Sequence, residues 1–346
     1  MNASADKFSS HPAENILLIR LKSIGDVMFT LPAVHAVRAN FPDAKITFLT
    51  SKENAALLRG FRDVDEIIAL DRAALRSGNP FKVSSEFFGL LKKLRAGKFA
   101  VVVDFQGYGE TAWLTRLTGA PQRWGSVYHT GRKWAYTHGL ERNTKIHPAD
   151  WNLSLLQQCG LKTGEIKNEF VLPPDALTAA RQILAENKID AAKPILFIQP
   201  LTSSPQKNWP LDKFLEVARH FQSRGFQIIF GGGPADRAFL QPVVAGKFCL
   251  AAGTPLLVSA GLVKLSSVLL GGDTGLTHLA VAMHRRVVMI IRGNTPGHCV
   301  PFQHRDYAVV PPAPGQIFEI STEAIIAATE SALKNTLSKH ADNAFC

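Results

Sequence analysis

The sequence predicts an α/β protein made of two domains, each a parallel sheet covered by helices, with a cleft between them. Three observations carry this. Short apolar runs of strand length alternate with segments of helical spacing, the rhythm of βαβ units. The rhythm breaks at VLPPD (171–175) and DAAKP (190–194) and then restarts. The 346 residues, 46% of them hydrophobic, are enough for two cores of ordinary size.

In chain order, ILLIRL (16–21) reads as a buried strand, and LPAVHAVRANFP (31–42) as a helix that ends at a proline. KITFLT (45–50) is a strand, NAALLRG (54–60) a helix stopped by glycine, and EIIAL (66–70) a strand. SSEFFGLLKKLRAG (84–97) places Phe87, Phe88, Leu91 and Leu94 at helical spacing, with Gly97 as its cap. A core-facing helix with a basic solvent face is the preferred account of it; the alternative is a helix leaning on an anionic membrane leaflet. FAVVVDF (99–105) is a central strand. In the second half, PILFIQ (194–199), FQIIFGG (226–232), SVLLGG (267–272) and VVMII (287–291) read as strands. Helices are expected at 175–187, bridging the halves, and at 211–224, 234–245, 255–264, 274–284 and 321–337. The resulting division is a loose leader (1–14), a first domain (15–172), a linker helix (173–190), a second domain (191–320) and a C-terminal helix and tail (321–346).

Composition excludes several classes. No apolar stretch follows a basic start, so no signal peptide is expected. No window approaches the ~20 apolar residues of a membrane helix. A soluble, cytoplasmic protein is therefore expected. The four cysteines form no C-x-x-C pair, which gives no sign of a zinc or redox site. The net charge is +11, and residues 1–172 hold 23 Lys and Arg against 16 Asp and Glu. That balance favours anionic partners. No basic stretch with interleaved aromatics is present to grip nucleic acid.

Three turns stand out. The first βα turn, LKSIGDVMFTLPA, has only Gly25 where a dinucleotide fold wants G-x-G-x-x-G, and no P-loop occurs. It offers Asp26 at the mouth of a strand, as a reactive carboxylate or as a helix N-cap. QPLTSSPQKNWP (199–210) brings Thr202, Ser203 and Lys207 together after a strand, a set suited to phosphate. Its bland alternative is a polar loop in which Trp209 staples the helix. GGDTGLTHLA (271–280) opens a helix at Thr274 and Gly275, whose N–H groups and dipole favour a diphosphate. Asp273 is placed to accept sugar hydroxyls, and His278 lies one turn in; a capping Asp and a packed surface His are the alternative. In GGGP (231–234), Gly232 fits a turn passing under a nucleoside, or a tight strand-to-helix turn. The Asp63–Asp65 pair has the shape of a metal-binding acidic pair but is better explained as a solvated turn. No cofactor and no catalytic metal are expected; Lys207, the helix terminus and His278 would neutralise a leaving diphosphate.

Taken together, 19–50, DFQGYGETAWLTRLTGAPQRWG (104–125), 199–210 and GGDTGLTHLAVAM (271–283) resemble the ADP-heptose:lipopolysaccharide heptosyltransferases of glycosyltransferase family 9. The match spans most of 15–335. The resemblance implies the GT-B fold, two Rossmann-like domains facing a central cleft, and an inverting, metal-independent transfer of heptose from ADP-heptose to the lipopolysaccharide inner core. It implies Asp26 as general base, since a sugar hydroxyl is a poor nucleophile at neutral pH. It places diphosphate binding on Lys207, with Thr202 and Ser203 beside it. It gives Asp273 the sugar, and Thr274, Gly275 and His278 the phosphates. Where relatives carry an acidic residue for the ribose, this chain has Pro234 and Ala235, with Asp236 only later. Another nucleotide-sugar donor, or a non-catalytic sugar-nucleotide-binding protein, is thus the alternative. Arg116 and Arg123 are acceptor candidates on charge alone, with Arg132 and Lys133 beside them. Peripheral contact with the inner face of the cytoplasmic membrane would bring the site near its lipid-linked acceptor.

Overall fold

The computed structural model describes the backbone of residues 14–293, 299–313 and 315–342, with side chains to 334. Most of the expected leader therefore lies outside the described residues. The chain divides into two compact units, the first ending at Phe170 and the second starting at Val171.

Unit 1 runs β1 (Asn15–Ile19), α1 (Ile24–Met28), α2 (Leu31–Asn40), β2 (Lys45–Ser51), β3 (Glu66–Leu70), α3 (Arg72–Leu75), α4 (Pro80–Ala96), β4 (Val101–Asp104), α5 (Gly109–Leu117), β5 (Gln122–Val127), β6 (His138–Glu141) and α6 (Pro148–Gln158). Its six strands lie in the order β3-β2-β1-β4-β5-β6, all parallel. Strand β1 is central and its last four residues are fully buried, which is why it reads as an unbroken apolar run. Leu17, Ile19, Leu49 and Val102 of the sheet pack with Leu90 and Leu94 of α4 and Leu114 of α5.

Helix α4 begins four residues before the expected start. Asn79 accepts hydrogen bonds from the Phe81 and Lys82 N–H groups, and Pro80 fills the first helical position, where no N–H is needed. Its core face is Leu90 and Leu94; Phe88, expected among the apolar-face residues, is 64% exposed and Phe81 is 86% exposed. The FF pair could not both point inward, because adjacent helical side chains diverge by about 100°. In place of the helix expected at 54–60 there are 3₁₀ turns at Lys52–Asn54 and Leu57–Gly60. Asp63 and Asp65 are not a bare solvated pair. Asp65 accepts from Arg38 at 2.6 Å and from the Ile46 N–H at 2.7 Å, and Asp63 meets His35 at 3.0 Å.

Unit 2 runs α7 (Pro174–Glu186), β7 (Ile195–Gln199), α8 (Leu211–Ser223), β8 (Gln227–Gly232), α9 (Gln241–Ala245), β9 (Cys249–Ala252), α10 (Leu256–Leu265), β10 (Val268–Gly272), α11 (Gly275–Ala282), β11 (Val287–Ile290), β12 (Ala308–Val309) and α12 (Thr322–Asp342). Its strand order is β12-β11-β10-β7-β8-β9, again all parallel. Helix α8 buries Phe214, Val217, Ala218 and Phe221 at helical spacing against the sheet. Helix α7, expected as a bridge, packs on α10 within this unit. Trp209 is more than a staple: it is 2% exposed, donates Nε1–H to the Ile320 carbonyl at 3.0 Å, and meets Phe214 edge-on. Among the described residues no helix is long and apolar enough to cross a membrane.

Candidate active site

In an open parallel sheet, ligands bind beyond the C-terminal strand ends, where neighbouring strands send their connections in opposite directions. The strand orders place that point between β1 and β4 in unit 1 and between β7 and β10 in unit 2. Asp26 follows β1; Lys207 follows β7 and Asp273 follows β10. Each named turn thus lies at a switch point of its own sheet.

In unit 1, Asp26 is the third residue of α1, not its cap; Ser23 holds the cap position. The Asp26 carboxylate accepts from the Ser23 N–H at 3.1 Å and the Ser23 hydroxyl at 3.2 Å. Its other oxygen pairs with Arg20 at 2.8 Å. Burial alone would raise its pKa. The Arg20 charge and the Ser23 hydrogen bonds outweigh burial, so the net shift is downward and the group is ionised at neutral pH. About a third of its side chain (34%) remains exposed, so solvent and ligand can reach it.

Arg20 is itself 5% exposed, and it also donates to the Phe105 carbonyl at 2.8 Å and the Lys22 carbonyl at 3.0 Å. The Gln106 amide oxygen accepts from the Leu21 and Lys22 N–H groups. Together they lock the loop after β1 to the loop after β4. Asp104, fully buried, accepts from the Gln106 and Gly107 N–H groups and from the Tyr136 hydroxyl at 2.7 Å. Gly107 has φ +69°, and a Cβ there would come within 1.5 Å of the Ser126 carbonyl. Sequence reasoning passed over Arg20, Asp104 and Gln106. The available signal was a cation and a carboxylate ending otherwise apolar strands, a placement that requires a partner.

In unit 2, Asp273 bridges two groups. One oxygen meets Lys207 Nζ at 2.8 Å and the other meets His278 Nε2 at 3.0 Å. Burial would raise its pKa; His278 and Lys207 override this and bring it to about 2. Thr274, not Asp273, caps α11, accepting from the Thr277 N–H at 3.3 Å. Thr277 donates to the Gly272 carbonyl at 2.8 Å. His278 is 5% exposed, because α11 is buried on nearly every side. Gly272 lets the 199–210 loop close in; a Cβ there would lie 2.5 Å from the Thr202 methyl. Thr202 is tied down by Asn208, to which both its N–H and its hydroxyl donate. Ser203 is exposed. A cavity of about 200 Å³ adjoins this cluster, with Lys207 and Asp273 on one side and Ile290, Ile291 and Ile317 as apolar wall.

The sequence profile described as glycosyltransferase family 9 (heptosyltransferase) matches residues 87–317. The chain belongs to this family. The family 9 chain is 25% identical over 279 residues to lipopolysaccharide heptosyltransferase 3 of Escherichia coli, covering 77% of this chain and 79% of that protein. It is 22% identical over 311 residues to the lipopolysaccharide core heptosyltransferase OpsX of Haemophilus influenzae, covering 86% and 84%. Among solved structures, a family 9 glycosyltransferase from Veillonella parvula superposes with a TM-score of 0.84 at 21% identity, over 96% of this chain and 99% of that one. The E. coli heptosyltransferase WaaC with ADP gives 0.75 at 20% identity, over 92% and 99%. The fold is GT-B, with two Rossmann-like units, and the protein is a glycosyltransferase.

Three further named positions in the family 9 chain belong to other elements. Arg123 is the second residue of β5; its guanidinium donates to the Ala120 and Ala135 carbonyls and holds the turns flanking that strand. Arg116 is in the last turn of α5, which runs back from the C-terminal end of β4 and so carries Arg116 away from Asp26. Charge alone could not tell a structural arginine from a binding one. Gly232 ends β8, where a Cβ would lie 2.8 Å from Leu240; Asp236, the late acidic residue, accepts from the Gly233 N–H at 2.7 Å and closes its own turn.

Proposed function

We propose that this enzyme transfers heptose from ADP-heptose to the inner core of lipopolysaccharide, with inversion and without a metal. The observation that carries it is the Lys207–Asp273–His278 cluster at the unit 2 switch point, beside the start of α11 and an apolar-walled cavity. A diphosphate placed there meets the Lys207 ammonium and the free N–H groups of the helix terminus, which balance the charge that develops as it leaves. The apolar wall suits a nucleoside. ADP is favoured because one structural relative is described with ADP and another with ADP-2-deoxy-2-fluoro heptose. Asp26, ionised at neutral pH, takes the proton from the acceptor hydroxyl. The hydroxyl oxygen then attacks the anomeric carbon while its bond to the diphosphate breaks, and a single displacement inverts that carbon.

The Asp236 carboxylate accepts from the Gly233 N–H, so the identity of the donor nucleotide is tested directly. A melting-shift panel of ADP-, GDP- and UDP-sugars, followed by transfer from ADP-heptose to purified inner-core oligosaccharide, tests it. A shift with ADP compounds alone, plus a heptosylated product, is expected. A shift only with another nucleotide points to a different donor, and binding without product points to a non-catalytic protein.

A lipid-linked acceptor fits an enzyme working at the cytoplasmic face of the membrane. Phe81 and Phe88 share an outward stripe of α4 with Lys92 and Arg95, the pattern of a helix lying on anionic lipid.

A further inference from the structure

Four side chains line the C-terminal edge of the unit 1 sheet, one after each of four neighbouring strands. Lys22 follows β1, Tyr108 follows β4, Tyr128 follows β5 and Arg142 follows β6. They touch in series. The Lys22 ammonium is 5.9 Å from the Tyr108 ring centre. The two tyrosine rings are 5.4 Å apart, tilted by 50°. The Arg142 guanidinium lies 5.7 Å from the Tyr128 ring and 6.0 Å from Trp151. Both tyrosines stay open to solvent, at 39% and 38% exposure.

The place and the rigidity matter more than the contacts. Lys22 and Tyr108 straddle the β1–β4 switch point, and Lys22 is four residues from Asp26. The same Arg20 that pairs with Asp26 ties the loop bearing Lys22 to the Phe105 carbonyl, three residues before Tyr108. Gln106 adds two more bonds between these loops. A carboxylate, an ammonium and two partly exposed aromatic rings are thus preset on one sheet edge.

We propose that Tyr108 and Tyr128 form a stacking floor for the acceptor sugar and that Lys22 pairs with an anionic substituent on it. This rests on the glycosyltransferase function proposed above. A pyranose ring has a C–H face that an aromatic face covers with little ordering cost, while its hydroxyls stay wet at the rim. A lysine held over a ring still has donors to offer a carboxylate or phosphate. The substrate class is therefore an acidic saccharide, and Arg142 acts as a positioning residue that braces Tyr128.

The test uses the full chain and three probes: de-acylated inner-core oligosaccharide, its dephosphorylated form and its carboxyl-reduced form. Binding is measured by calorimetry and transfer by acceptor KM. Tyr108→Ala and Tyr128→Ala should each weaken binding and raise acceptor KM about tenfold. The ADP melting shift should be unchanged and kcat nearly so. Tyr108→Phe should behave as wild type, because the ring and not the hydroxyl is used. Lys22→Met should lose affinity for the intact oligosaccharide but not for whichever derivative lacks the recognised anion, which identifies carboxylate or phosphate. Unchanged binding in both alanine variants, or Tyr108→Phe as impaired as Tyr108→Ala, overturns the platform. Absence of transfer in the wild type, with binding intact, overturns the proposed reaction instead and leaves the platform judged by calorimetry.

Discussion

Lys207 and Asp273 lie 66 positions apart in sequence, yet the ammonium and carboxylate meet at 2.8 Å. The contact exists because β7 and β10 are neighbours, so the loops that follow them open onto the same switch point. In the proposed donor site it would preposition the Lys207 ammonium for a diphosphate. Lys207→Ala should weaken ADP binding 10- to 100-fold, about the 1.5–3 kcal/mol of a hydrogen bond to a charged group. Calorimetric titration of ADP reads it; an affinity within twofold of wild type would remove Lys207 from the donor site.

Asp26 is assigned proton abstraction alone. Asp26→Asn keeps the shape and removes the base, so kcat should fall about 10²- to 10⁴-fold, with ADP affinity unchanged. Loss of ADP binding would count against the role. Because its folded pKa is depressed, the base should stay ionised as pH falls to its ordinary value of 3.8 and protonate only below it. Arg20→Met removes the counter-charge, so the acid limb of the kcat/KM profile should move to higher pH. A stationary limb would mean that another group controls it.

Asp273 links the site to stability. Its pKa falls from 3.8 unfolded to about 2 folded. A depressed carboxylate stabilises the fold above the unfolded pKa and loses that contribution as pH drops through the folded one. The difference in unfolding free energy between wild type and Asp273→Asn should thus be fully present at about pH 5. It should shrink between about pH 4 and 2, by about 2 kcal/mol in total. Urea titrations at several pH values check it; a pH-independent difference would show that the ion pairs do not act this way.

Gly107 is a backbone requirement of the loop that carries Tyr108. At φ +69° with a neighbouring carbonyl 1.5 Å from any Cβ, Gly107→Ala should cost about 2 kcal/mol or more. Calorimetry should show Tm lower by roughly 4–8 °C. An unshifted Tm would mean that the loop has another conformation of similar energy.

The proposed contact of α4 with lipid is separable from catalysis. The double variant Phe81→Ser, Phe88→Ser should no longer sediment with vesicles of anionic lipid, while the wild type does and neither binds neutral vesicles. Turnover of a soluble acceptor should be unaffected. Equal sedimentation of both proteins would dispose of the membrane contact.

Much of this was legible in the sequence because parallel strands buried on both faces must be apolar throughout. ILLI, FLT and VVVD therefore announced β1, β2 and β4. Strands β5 (QRWGSV) and β6 (HGLE) carried no such signal, since they lie toward a sheet edge where polar residues are tolerated. The turns with Asp26, Lys207 and Asp273 were legible because close backbone approach needs glycine and helix starts need small polar residues. Tertiary structure alone decided which groups meet. The pairing of Asp26 with Arg20, the fastening of Asp236 to Gly233 and of Arg123 to Ala120 and Ala135, and the exposure of Phe81 and Phe88 all follow from strand order and side-chain direction. Charge and spacing describe what a residue can do. Only packing determines whether its valences are spent on the fold or left for a ligand.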